Sequence, residues 1–211
     1  MKEVVIVGAG GFGKEVAFLI NLLKDYKLVG FVDDSIDVLP ESICNRAILG
    51  GLGYLESYEE KIYVAIAVAS PTLKESIYLK LLKNSNLIFP NIISDSSLVG
   101  FNIAMGIGNI LMPYTTLTAD INIGNFNMIN MHSTIGHDVN LGDFNSIFPN
   151  VNISGNNHIG KNNQIGVGTK TIPNITIGNE TIIGAGSTVI RDIRNKTKNV
   201  GTPTRVIESW D

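Results

Sequence analysis

Two places along this sequence combine residue types that can do chemistry. At Ile135-Gly136-His137-Asp138 a histidine stands directly before a carboxylate. A near-neutral imidazole can take a proton from an attacking group, and an adjacent carboxylate can fix its tautomer and stabilise the cation that forms. The second place is Gly8-Ala9-Gly10-Gly11-Phe12-Gly13, which follows the apolar run Val4-Val5-Ile6-Val7 and precedes a helical pattern. A glycine turn between strand and helix presents main-chain amides to an anion, so Gly8, Gly10, Gly11, Phe12 and Gly13 are candidates for holding a phosphate. Asp33 and Asp34 follow at about the 20-residue spacing of an acid that takes a ribose hydroxyl.

The elements that must position these groups fall into two halves. Residues 1–90 alternate short apolar runs with amphipathic stretches: a strand over Val4–Val7, a helix over Lys14–Lys24, a strand over Leu28–Val32, another over Tyr63–Ala69, a helix opened by Pro71, and a last strand over Leu87–Phe89. This is a small Rossmann-like α/β unit with a mainly parallel sheet. Some ninety residues are too few for two mononucleotide halves, so the glycine turn fits one nucleotide better than a dinucleotide.

Past Pro90 the period changes. Stepping by six from Val99 to Val189 meets an apolar residue at fifteen of sixteen positions, Thr171 being the exception. A glycine follows every third one, at Gly106, Gly124, Gly142, Gly160 and Gly178, where a sharp turn would use its backbone freedom. Asn109, Asn127, Asn145 and Asn163, then Thr181, recur at the same spacing, as a stacked amide ladder would. An unbroken period of six over some ninety residues, Val99 to Val189, predicts that the domain of residues 91–211 is a three-sided parallel β-helix and argues against a sandwich with irregular loops. In that frame His137-Asp138 lies in a glycine-flanked corner. His132 falls near the preceding corner and reads equally as a substrate contact or an exposed turn residue, and His158 ends its hexad facing solvent.

Composition narrows the function classes. The net charge of −3, without a basic run, leaves no electrostatic footprint for nucleic acid. The single cysteine, Cys44, suits a reducing compartment, here the cytoplasm, and no Cys/His cluster has the spacing of a zinc site. No stretch is long and apolar enough for a membrane-spanning helix, and the apolar opening reads as a buried strand and not as a secretory leader.

The hexads, as in Ile183-Gly184-Ala185-Gly186-Ser187, resemble those of the hexapeptide acyltransferases. The whole chain is similar to the sialic acid O-acetyltransferase type of sugar acyltransferase, which includes bacterial N-acetyltransferases of nucleotide-linked 4-amino-4,6-dideoxy sugars. The resemblance rests on Ile6-Val7-Gly8-Ala9-Gly10-Gly11-Phe12-Gly13-Lys14-Glu15, Gly30-Phe31-Val32-Asp33-Asp34, Ile135-Gly136-His137-Asp138 and the closing Gly201-Thr202-Pro203, in that order. It implies a left-handed β-helix, a homotrimer with active sites between subunits, and acetyl-CoA as co-substrate. It makes His137 the general base supported by Asp138, and makes the N-terminal unit the holder of a nucleotide-linked sugar. Coenzyme A would run along the groove between two solenoids, where Gly166-Val167 and Gly184-Ala185 offer accessible amides beside their part in corner geometry. Gly155 reads either as an oxyanion or thioester contact or as a simple bend. Where the family often has a further histidine, this chain reads Phe144-Asn145-Ser146. The chemistry requires no metal. The resemblance implies N-acetylation of a UDP- or dTDP-linked 4-amino sugar for surface glycan synthesis. Two alternatives stand beside it: O-acetylation of sialic acid or another sugar, and a non-catalytic, trimeric carbohydrate-binding scaffold.

Overall fold

Val4, Val5, Ile6 and Val7 are apolar without alternation, as a strand covered on both faces must be. In the computed structural model, which describes residues 1–211, they form the buried part of β1 (Lys2–Val7). Two compact units are present, Met1–Ile92 and Ile93–Asp211. In the first, β1 pairs in parallel with β2 (Tyr26–Val32) on one side and β5 (Ile62–Ile66) on the other. The helix α1 (Gly11–Leu22) follows the glycine turn and buries Val16, Ala17, Leu19 and Ile20. Pro71 opens α3 (Pro71–Leu81), a position where its missing N–H costs nothing. With β3 (Ser42–Ile43), β4 (Arg46–Gly50) and β6 (Leu87–Ile88) the sheet runs β3-β4-β2-β1-β5-β6. The β3–β4 hairpin and the short helix α2 (Gly53–Glu56) have no counterpart in the apolar pattern. What makes the hairpin is its turn, Cys44-Asn45, with φ of 51° and 59°, the pair of left-handed residues that suits the twist of two strands.

The second unit is a left-handed parallel β-helix. Its strands pair one coil apart, Thr134 with Asn152, Asn140 with His158 and Ser146 with Gln164. Its core is a stack of the hexad residues, among them Leu117, Ile135 and Ile153 on one side and Ile129, Ile147 and Ile165 on another, with Ile121, Val139 and Val151 between.

The chain turns at three corners, each a column of left-handed residues. One holds Asn102, Asp120, Asp138, Asn156 and Asn174; the next Gly108, Phe126, Phe144, Asn162 and Glu180; the third Tyr114, His132, Asn150, Gly168 and Gly186, with φ from 53° to 72° throughout. Asn and Asp tolerate that conformation because a short polar side chain can bond locally, which accounts for Asn102, Asp120, Asp138, Asn150, Asn156, Asn162 and Asn174 at these corners. The glycines Gly106, Gly124, Gly142, Gly160 and Gly178 are not the left-handed residues, contrary to the expectation from sequence. They are glycines because the next coil passes too close. A Cβ at Gly124 would lie 2.3 Å from Asp143 Oδ1 and 2.8 Å from the Gly142 carbonyl carbon.

The asparagine ladder is continuous. The main-chain amide of each rung from Asn127 to Thr181 donates to the Oδ1 one coil earlier, at 2.8–3.0 Å. Asn127 Nδ2 also donates to Asn109 Oδ1 at 3.1 Å, and Asn145 Nδ2 to Asn127 Oδ1 at 3.1 Å. Replacing Asn127 with Ala removes three of these bonds inside a dry column. Chemical denaturation should show a loss of about 2–4 kcal/mol; a loss below 1 kcal/mol would mean that water or a neighbouring group replaces the rung.

After Val189 the register shortens, with Thr176 reaching Asp192 and Asn179 reaching Asn195 over 16 residues instead of 18. The chain closes with an antiparallel pair, Thr197–Val200 against Arg205–Ser209, at the edge of one face. A solenoid needs such an atypical end to finish its last coil.

Candidate active site

In the first unit the turn glycines divide by what surrounds them. Gly8 has φ +104° and Gly13 lies so close to the Gly8 carbonyl that a Cβ there would sit 2.0 Å from its oxygen, so both are fixed by the fold. Gly10 and Gly11 have nothing within 4 Å of a Cβ position, leaving the N-terminus of α1 approachable. That end has no side-chain cap and no acidic residue in its first turn. Helix amides in this state carry partial positive charge toward an incoming anion. Phe12 is half-buried in the same turn.

Asp33 and Asp34 stand at the end of β2, next to this turn. Asp33 Oδ2 accepts the Ala9 amide at 2.8 Å and its Oδ1 accepts the Ser35 amide at 2.9 Å. Asp34 Oδ1 accepts the Leu52 amide at 2.7 Å. Both carboxylates line a cleft of about 270 Å³ with Gly8, Leu52, Val68, Ile77 and Lys80. Leu52, Ser76 and Lys80 carry no motif, and only their place in the fold brings them there.

In the solenoid, His137 Nδ1 lies 2.7 Å from Asp138 Oδ2 at the first corner. The carboxylate fixes the proton on Nδ1, a tautomer assigned from this bond, and leaves Nε2 as the acceptor. Both side chains are well exposed, at 69% and 58%, so the pair adds little to stability and is available to a ligand. Gly155 is one coil further on. A Cβ there would lie 2.5 Å from both Nε2 and Cε1 of His137, so the imidazole rests in the space that a side chain would fill. The Gly155 amide makes no hydrogen bond within the chain. At the second corner the equivalent amides of Ile107, Asn125, Lys161 and Asn179 are each taken by an Asn or Asp side chain of the next coil. Above Gly155 the equivalent residue is Pro173, whose side chain has no acceptor. An imidazole acceptor beside an open main-chain donor can deprotonate a nucleophile while stabilising an oxyanion.

The other residues singled out from sequence lie elsewhere on the same solenoid. His132 is exposed on the third corner, stacked on Tyr114 with ring centroids 5.0 Å apart and planes 14° from parallel. Tyr114 was missed in the sequence, although it stands one coil before His132. Gly166-Val167 and Gly184-Ala185 approach that third corner too. Gly166 and Gly184 are pressed against the next coil, whereas Val167 and Ala185 face outward. A single chain therefore does not bring these residues to His137. Phe144 sits on the second corner, 8% exposed and stacked on Phe126 at 5.4 Å, so it offers no imidazole substitute to the His137 corner.

Residues 3–81 match the PglD N-terminal domain family. No curated protein sequence matches the chain. Solved structures match over its full length. The acetyltransferase domain of PglB from Neisseria gonorrhoeae is 26% identical, with a TM-score of 0.92 over 98% of this chain and 100% of that one. Perosamine N-acetyltransferase from Caulobacter crescentus, solved with CoA and GDP-perosamine, is 25% identical, with a TM-score of 0.90 over 99% of this chain and 98% of that one. WeeI from Acinetobacter baumannii is 27% identical, with a TM-score of 0.87 over 98% of this chain and 100% of that one. The hexad solenoid, the match of residues 3–81 to the PglD N-terminal domain and this likeness from end to end to sugar acetyltransferases together make the chain an acyltransferase.

Proposed function

We propose that this enzyme transfers an acetyl group from acetyl-CoA to the amine of a nucleotide-linked 4-amino-4,6-dideoxy sugar, UDP- or dTDP-linked, in the cytoplasm for surface glycan synthesis. The observation that carries the reading is the free Nε2 of His137 beside the open amide of Gly155. Two structures that match nearly the whole chain are named as acetyltransferases, one of them a perosamine N-acetyltransferase, which supports the acceptor class.

In this reading His137 Nε2 takes the proton from the sugar nitrogen as that nitrogen bonds to the thioester carbonyl carbon. The negative charge gathers on the carbonyl oxygen, where the Gly155 N–H meets it. Collapse breaks the C–S bond, and the imidazolium returns its proton to the departing CoA thiolate. Asp138 holds the ring and stabilises its cation. The glycine turn, through Gly8, Gly10, Gly11, Phe12 and Gly13, faces the diphosphate, with Asp33 or Asp34 contacting the nucleoside and His132 toward the substrate. Because Gly166-Val167 and Gly184-Ala185 lie on a different corner from His137, the CoA groove would be completed by a second solenoid, as in a homotrimer.

Release of CoA thiol from acetyl-CoA, measured against UDP-, dTDP- and GDP-linked 4-amino sugars with sialic acid alongside, tests the reading. Release with one of the nucleotide-linked amines is expected. Release with sialic acid alone would make the enzyme an O-acetyltransferase, and silence across the panel would favour a binding scaffold.

A further inference from the structure

The adjacent carboxylates Asp33 and Asp34 look equivalent in the sequence, and the structure treats them differently. Both oxygens of Asp33 are engaged by main-chain donors, Ala9 N–H at 2.8 Å inside the glycine turn and Ser35 N–H at 2.9 Å just after the strand. Asp33 is also the more enclosed of the two. It thus ties the turn after β1 to the end of β2, across 24 residues of sequence. Asp34 gives only Oδ1 to the fold, to the Leu52 amide at 2.7 Å at the start of α2. Its Oδ2 has no partner in the chain, and the residue is exposed on the same cleft as Gly8 and Lys80. Gly51 allows this pose, since a Cβ there would lie 2.8 Å from Asp34 Oδ1.

We infer that the two aspartates divide the work of the nucleotide site: Asp33 is a positioning residue that fixes the glycine turn, and Asp34 alone accepts a hydrogen bond from the nucleoside. This rests on the reading of the first unit as the holder of the nucleotide. A carboxylate oxygen can only accept, so the ligand group opposite Asp34 must carry an N–H or O–H, which a ribose hydroxyl or a base imide supplies and a phosphate oxygen at neutral pH does not. The same logic explains why Asn cannot replace Asp33. Two inward-pointing amides need two acceptor oxygens, and an amide side chain turns an NH₂ group toward one of them.

The test uses the full-length protein with UDP, dTDP and GDP as probes, following affinity by calorimetry and exchange of the peptide containing Ala9 by mass spectrometry. Asp34→Asn should weaken the nucleotide that the wild type binds best by about tenfold to a hundredfold, with Ala9 exchange in the free protein unchanged. Gly51→Ala, which displaces the Asp34 carboxylate without removing it, should weaken binding in the same direction. Asp33→Asn should speed exchange at Ala9 in the absence of any nucleotide, a change that a purely ligand-binding residue would not produce. Wild-type affinity in both Asp34→Asn and Gly51→Ala would overturn the assignment of Asp34, and normal Ala9 protection in Asp33→Asn would overturn that of Asp33. If the wild type binds none of the three nucleotides, the nucleotide reading fails and the role of Asp34 with it, whereas the exchange result still decides Asp33.

Discussion

Replacing His137 with Ala is expected to lower turnover by at least about a hundredfold, the usual worth of a positioned general base, while leaving the melting temperature where it was. The two halves of this expectation come from the same geometry. Nε2 is the nitrogen left to accept because Asp138 Oδ2 holds Nδ1 at 2.7 Å, so the ring is set to take a proton. The ring and the carboxylate are 69% and 58% exposed, so their loss creates no buried cavity and breaks no shielded ion pair. Asp138→Asn refines the result. Asn keeps the left-handed φ of 59° that this corner needs, yet it supplies no charge for the imidazolium. Its turnover should fall between those of wild type and His137→Ala. Steady-state thiol release with a saturating amino-sugar acceptor measures both variants. Near-normal turnover in His137→Ala would remove the histidine from the mechanism and leave the acyltransferase reading without its base.

The second large effect is expected from a residue with no side chain. Gly155→Ala should reduce turnover by about tenfold to a hundredfold, because the new methyl would occupy the place of His137 Nε2 and Cε1, each 2.5 Å away. The ring is exposed and can swing outward, so the fold survives and the base is lost from its position. Misplacing a reacting group by about 1 Å is enough for an effect of this size. The signature is a fall in turnover with a much smaller change in the Michaelis constant for acetyl-CoA. Acting only as a bend, Gly155 would tolerate the methyl with little kinetic change, since its φ is not in the left-handed region. A normal turnover in Gly155→Ala would therefore return this glycine to an architectural role.

How much of this was legible in the sequence follows from the range over which each feature is encoded. The six-residue period is a local property of the chain, repeated until it leaves one solution, so the solenoid, its three sides and the asparagine ladder could be read directly. Counting by eighteen even places His132 and His137 on different corners. The parallel sheet of the first unit was equally readable from Val4–Val7 and its neighbours, whereas the Cys44-Asn45 hairpin was not, because its signal is a backbone conformation and not an apolar pattern. The glycine stripe was visible, but its cause was not: close passage of the next coil, and not a left-handed φ, excludes a Cβ at Gly124.

The site depended most on the tertiary structure. The family resemblance pointed to His137-Asp138, yet the seat that Gly155 makes for the imidazole exists only once a coil eighteen residues later is laid beside it. Asp33 and Asp34 are neighbours with the same side chain, and what separates them is that Ala9 and Ser35 direct their amides at one, and Leu52 its amide at one oxygen of the other. By itself, then, the sequence determined the repeat, the two-domain order and the residue types able to do the chemistry. Only the fold decided which oxygens and amides remain open, because a hydrogen bond depends on distances and directions between groups that the chain brings together from far apart.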